Sequence, residues 1–243
     1  EYLWCFDHGN EHGPGFVGVR LSFLWGDIKR LGSDFPPAMK ALRKRRDAAQ
    51  TALLSGKGDF HQAMDFQALS RVLGEPEEAL AMYDRLGEMG DAVKDARDAL
   101  GRLVKEQFFE ARRYKEYLDA IENPSTRMDR AIAGIKRSKG LFGRLTANRH
   151  DLLPHLREKL IEDAAKDYEA LLATGRVQDA DVLAIRLLKV ESNGKAFTAL
   201  IRHATRAGKR DAARALVQRA EAALPEEDLQ MVREAAEEIG ATP

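Results

Sequence analysis

Three stretches decide the fold: Leu73-Gly74-Glu75-Pro76-Glu77-Glu78-Ala79-Leu80-Ala81-Met82-Tyr83, Thr174-Gly175-Arg176-Val177-Gln178-Asp179-Ala180-Asp181-Val182-Leu183-Ala184, and Ala207-Gly208-Lys209-Arg210-Asp211-Ala212-Ala213-Arg214-Ala215-Leu216-Val217. Each sets a glycine at the turn, an alanine five positions later and a further side chain four beyond that (Tyr83, Ala184, Val217). Glycine takes the left-handed conformation that closes a helix. A small alanine then lets the next helix lie close to the first, and the residue after it fills the space beyond. A fourth, weaker copy runs Ala111-Arg112-Arg113-Tyr114-Lys115-Glu116-Tyr117-Leu118, with Arg112 in the glycine's place.

Working outward, helical periodicity accounts for most of the chain. Pro36-Pro37 opens a helix to Leu54, with Ser33 or Asp34 as its cap. Asp59 caps Phe60–Leu73, and Pro76 begins a helix to Leu86. A single charged helix is expected over Asp91–Phe109, with Ala92, Ala96, Leu100, Leu103, Val104 and Phe108 as its buried stripe. Tyr114–Ile121 and Arg127–Lys136 follow, then a Gly-rich, basic, irregular segment over Ser138–Asn148. Leu152–Ala173, Val177–Val190, Ala196–Ala207, Arg210–Leu224 and Glu226–Ile239 complete the series. The first 32 residues differ in character. They hold both tryptophans, the cysteine and the Gly/Pro-rich stretch Asp7–Gly15, which reads as a loop. Phe16–Leu31 reads as a helix, with a short strand over Gly15–Leu21 as its alternative. The chain therefore divides into an N-terminal segment, 1–58, and a helical-repeat domain, 59–243.

Composition agrees with an all-α chain. Ala, Leu, Arg and Glu dominate, and aromatics make up only 7%. Lysine plus arginine and aspartate plus glutamate both number 39, so the net charge is zero, which argues against a dedicated nucleic-acid binder. With one cysteine, Cys5, the chain has no internal disulfide framework and no multi-cysteine zinc site. No apolar run reaches the length of a membrane span, and no signal-peptide pattern appears, so a cytoplasmic protein without membrane association is expected. The sequence opens on Glu1 rather than Met, which leaves an upstream segment open.

Gly74, Ala79 and Tyr83, Gly175 and Ala180, and Gly208 and Ala213 resemble the second half of a tetratricopeptide repeat over roughly Phe66–Leu86 and Leu156–Leu224. Gly175 and Gly208 stand 33 positions apart, close to that family's period of about 34. The family's first-helix tryptophan and Leu-Gly pair are absent. The resemblance implies a right-handed superhelix of antiparallel helical hairpins, an α-solenoid, with the N-terminal segment as a cap. It implies a non-enzymatic scaffold without cofactor that holds a protein or peptide on its concave face. On the first helices of the hairpins, that face would carry Gln67, Arg71, Asp167, Tyr168, Arg202 and His203. A small repeat domain with an Ala/Arg-rich, bacterial-looking composition suggests an immunity or chaperone-like protein for a toxin.

Other constellations compete with this reading. Cys5, Asp7, His8 and His12 together offer a thiol, a carboxylate and two imidazoles, the donors of a metal site or a hydrolase. Their spacing fits no zinc pattern, and an N-terminal loop packed on the helices is the plainer account. His150 and His155 flank Asp151, which reads as a helix cap, and His61 and His203 stand alone on charged helices. Two basic groups read mainly as solvated faces: Lys40 with Arg43–Arg46, and Arg127, Arg130, Lys136, Arg137, Lys139, Arg144 and Arg149. Leu141 and Phe142 beside the second group would make it a contact loop for an acidic partner. RNA bound there would dissociate steeply with salt.

Overall fold

The computed structural model describes residues 2–8, 11, 16–142, 152–238 and 240, and among them every regular element is helical. Two compact units divide the chain, Glu1–Phe108 and Phe109–Pro243. The boundary expected at 58/59 falls inside the first of these.

The first unit holds α1 (Tyr2–His8), α2 (Phe16–Asp34), α3 (Pro36–Leu54), α4 (Phe60–Leu73), α5 (Glu78–Glu88) and α6 (Lys94–Leu103), and α7 (Lys105–Glu110) crosses into the second. Trp25 and Ile28 of α2, Leu42 of α3 and Leu69 of α4 form its innermost cluster. Residues 16–21 are helical, so no strand forms there, and Asp7 and His8 end α1 instead of beginning a loop. Ser33 and Asp34 are not caps but the last residues of α2. The N-cap of α3 is Phe35, which offers no side-chain bond, while Pro36 and Pro37 remove two of the N–H groups a cap would serve. Asp59 does cap α4: its carboxylate accepts from His61 N and Gln62 N, and Gln62 Oε1 accepts from Asp59 N at 3.0 Å. Pro76 lies in the turn before α5, its carbonyl accepting from Gln107 Nε2 at 3.0 Å.

The helix expected over Asp91–Phe109 is interrupted twice. A 3-10 turn occupies Gly90–Val93, and a break at Val104 separates α6 from α7. Gly101 stands in the last turn of α6, just before the second interruption. It weakens the last turn of α6 and admits the Tyr83 ring, whose Cε2 would stand 3.0 Å from a Cβ at that position.

The second unit contains α8 (Tyr114–Ala120), α9 (Pro124–Phe142), α10 (Leu152–Ala173), α11 (Val177–Val190), α12 (Gly194–Arg206), α13 (Arg210–Ala223) and α14 (Glu226–Glu238). α9 begins earlier than expected, because Asn123 Oδ1 accepts from Ser125 N and Thr126 N and Pro124 sits in the first turn. It also continues through Ser138 to Phe142. The rest of the segment expected to be irregular, with Arg144, lies outside the described residues, as do Arg149, His150 and Asp151. Every second helix packs on the next of its kind: α8 on α10, α10 on α12 and α12 on α14. α11 lies along α10, and α13 along α12. Leu171, Leu187, Phe197, Leu200 and Val232 form a continuous buried core through these pairs.

The elbows behave as their sequences require. Gly74, Gly175 and Gly208 have φ of 85°, 80° and 74°. In each, the next residue donates back to the carbonyl five positions before it: Glu75 to Ser70, Arg176 to Leu171, Lys209 to Ala204. Ala79, Ala180 and Ala213 are fully buried behind them. Arg112 takes the same conformation with φ 56°, the only positive φ of a non-glycine residue among the described ones. Five positions on, where the other copies have alanine, the fully buried Tyr117 stands instead. Arg112→Gly should therefore stabilise the protein by about 0.5–1 kcal/mol, and Gly175→Ala should cost about 1 kcal/mol. Urea midpoints test both, and a destabilised Arg112→Gly variant would refute the strain.

Candidate binding groove between α10 and α12

Helical periodicity sets two faces opposite each other. α10 presents Glu158, Ile161, Glu162 and Ala165, and α12 presents Lys195, Ala199, Arg202, His203 and Arg206. Ala165 and Ala199 are short, and a cavity of about 360 Å³ opens above them. A second cavity of about 320 Å³ continues it toward the start of both helices, among Leu153, Pro154, Arg157, Glu191 and Asn193. The two share Glu158, Ile161 and Lys195, so they form one groove.

Exposed ion pairs line its rim. Lys195 Nζ reaches Glu158 at 2.7 Å, Arg202 Nη2 reaches Glu238 at 2.8 Å, and Lys166 Nζ reaches Glu162 at 2.9 Å. The hydrogen bond from Lys195 holds the Glu158 carboxyl below its ordinary range. Exposed pairs of this kind contribute little to stability and exchange partners readily.

One end of the groove is built on a buried carboxylate. Glu169 of α10 has no exposed side-chain surface. Tyr114 Oη donates to its Oε1 at 2.5 Å, His203 Nδ1 lies 2.5 Å from its Oε2, and Arg206 Nε stands 3.5 Å away. Burial acts to raise the Glu169 carboxyl, but the His203 and Tyr114 hydrogen bonds outweigh it and hold the group below the ordinary carboxylate range. An ionised Glu169 only accepts, so the proton between the two residues sits on His203 Nδ1. Burial, followed by the bond to Glu169, pushes the Tyr114 hydroxyl up to about 12. Phe109 covers the cluster, its ring 5.8 Å from that of Tyr114 and 6.0 Å from that of His203, with the Arg206 guanidinium 5.5 Å from its centroid.

Sequence reasoning placed six residues on a binding face, and the structure treats them differently. Arg202 and His203 line the groove. His203 does not stand alone, because its ring is tied to Glu169. Gln67 is half-buried and Arg71 exposed on α4, in the first unit. Asp167 and Tyr168 are each only 2% exposed and line no face. Burial, then the nearby Asp181, pushes the Tyr168 hydroxyl up to about 12. Asp167 accepts from Tyr117 Oη at 2.7 Å and from Arg127 Nη1 at 2.9 Å. Arg127 also reaches Asp163 at 2.9 Å, so it belongs to this internal network and not to a basic surface. Arg45 and Arg46 are likewise committed, to Asp7 and to Asp47 and Glu75.

The N-terminal donors do not converge. Cys5 packs beside the Trp25 cluster, Asp7 takes both bonds from Arg45 at 2.8 and 2.5 Å, and His8 Nδ1 lies 3.2 Å from Glu11. His12 lies outside the described residues. Among the described residues, no group of three or more His, Cys, Asp or Glu is arranged to hold a metal, and no helix is long and apolar enough to cross a membrane.

Glu169, Lys195, Arg157 and Glu191 escaped the sequence reading. The available signal was Glu169 itself, a charge set between Tyr168 and Ala170, just before Leu171 and Leu172.

The fold and the groove define the chain as an all-helical protein of two units, the second carrying an elongated cleft between alternate helices. No protein-family model, curated protein or solved structure matches it.

Proposed function

We propose that this chain is a non-enzymatic scaffold of tetratricopeptide-like, right-handed helical-repeat type, whose second unit receives a peptide segment of a partner protein in the groove between α10 and α12. The observation that carries this reading is the groove itself. Two contiguous cavities run along the first helices of successive hairpins, floored by small and apolar side chains and rimmed by ion pairs that a ligand can exchange. A floor of Ile161, Ala165 and Ala199 offers apolar contact. The charged rim fixes orientation, as in other mostly apolar sites with a few placed polar groups.

Selection of a displayed random-peptide library on the purified protein tests the proposal. Enriched peptides should bind the native chain and lose about tenfold or more in affinity for Ala199→Trp, whose indole fills the larger cavity. Binding untouched by that substitution, or no enrichment on a folded protein, overturns it.

A further inference from the structure

The smaller cavity contains a carboxylate that the protein leaves poorly served. Glu191 follows the last turn of α11, and its side chain is only 4% exposed. An ionised carboxylate buried to this degree requires close, well-directed donors. Glu191 has distant ones. Arg157 Nε approaches its Oε1 at 3.4 Å, and Asn193 Nδ2 donates to its Oε2 at 3.3 Å. Charge-assisted bonds ordinarily close to about 2.7–2.9 Å, and Glu169 in the same unit has partners at 2.5 Å. Asn193 cannot improve its contact freely, because its Oδ1 is engaged in capping α12 through Ala196 N at 3.0 Å. Arg157 is 44% exposed and projects from the cavity wall, so it can swing into solvent.

We propose that Glu191 is the recognition carboxylate for a basic side chain, lysine or arginine, of the bound segment, with Arg157 occupying its place until that segment arrives. The inference rests on the reading that the groove takes a peptide. Leu153, Pro154 and Ile161 supply the apolar wall along which the aliphatic stem of a lysine or arginine lies. Glu158 stands at the same cavity, paired with an exposed lysine, and gives the incoming cation a second acceptor. The guanidinium or ammonium head displaces Arg157 and makes the short contact to Glu191 that the resident arginine does not.

Heteronuclear NMR titration of the full chain with N-acetyl-arginine amide and N-acetyl-lysine amide, with N-acetyl-glutamate amide as control, tests this directly. The basic probes should shift the Asn193 side-chain amide and the Gly194 amide, and the acidic probe should not. Arg157→Ala, which removes the resident competitor, should tighten binding about fivefold, and Glu191→Gln should abolish it. A merely structural Glu191–Arg157 pair predicts the opposite for Arg157→Ala, no gain in binding. Arg157→Ala stands independently of Glu191→Gln, so the proposal can still be overturned if Glu191→Gln fails to fold. Equal response to all three probes, or an Arg157→Ala variant no tighter than the native chain, overturns the proposal. Enriched peptides that lack lysine and arginine and ignore Glu191→Gln sink this inference while the scaffold stands. Amide binding without any library enrichment sinks the scaffold reading instead.

Discussion

Asp167→Ala is expected to destabilise the second unit by about 3–5 kcal/mol, the range seen when one partner of a buried ion pair is removed. The substitution strips Arg127 of the more deeply buried of its two carboxylate partners and leaves the buried Tyr117 hydroxyl without its acceptor. Burial alone would lower the Arg127 guanidinium, but Asp167 and Tyr117 overcome it and hold the group firmly charged. Burial and Asp167 together push the Tyr117 hydroxyl upward, so it remains a donor. Replacing both members of the ion pair tells a different story. Arg127→Met with Asp167→Leu should recover the part of the loss that comes from the unpaired guanidinium, because apolar side chains of similar volume no longer require pairing, while the Tyr117 hydroxyl still lacks its acceptor. Denaturant unfolding of the single and double variants measures the cycle. A single-variant loss below about 1 kcal/mol would show that the network contributes nothing beyond surface ion pairs.

Glu169→Ala should be comparably damaging, at about 3 kcal/mol or more, since it leaves the Tyr114 hydroxyl and His203 Nδ1 without their acceptor. Glu169→Gln preserves shape and isolates the charge. In the folded chain this carboxyl is held below its ordinary value of 4.5, so the unfolded chain takes up its proton first as the solution is acidified. The ionised group therefore adds stability above pH 4.5, and that contribution drains away as pH falls through the lowered folded value. Native stability should drop more steeply than that of Glu169→Gln below pH 4.5, and the two curves should run parallel above it. Parallel curves throughout would show that His203 and Tyr114 do not favour the ionised form.

The elbows and the later helices were legible in the sequence because backbone geometry leaves few choices. A left-handed residue between two helices calls for Gly175 or Gly208, and α11 runs from Val177 to Val190 as its periodicity predicts. The groove was only partly legible, and α10 explains why. Reading a helix for a polar face assumes that one side meets water. α10 is flanked by α8, α9, α11 and α12, and from Ala164 to Leu172 nearly every residue is buried. Asp167 and Tyr168 therefore read as surface and lie inside. Arg202 and His203 lie along the groove because α12 keeps an open side. The break at Val104 was hidden for another reason: the apolar stripe runs through it, and the close approach of Tyr83 to Gly101 just before it joins residues eighteen positions apart.

The alternation of packed helices has a bearing on how the chain is made. Among the described residues of both units, the substantial helix–helix contacts are with a first or second neighbour along the chain, apart from the Phe109 ring of α7 against His203 and Arg206 of α12. Loop closures are then short, and their entropic cost stays low. During synthesis, α10 finds α8 and α9 already outside the ribosome, and α12 finds α10 and α11. The second unit can thus condense in the order of its translation, each new hairpin laid on a completed surface.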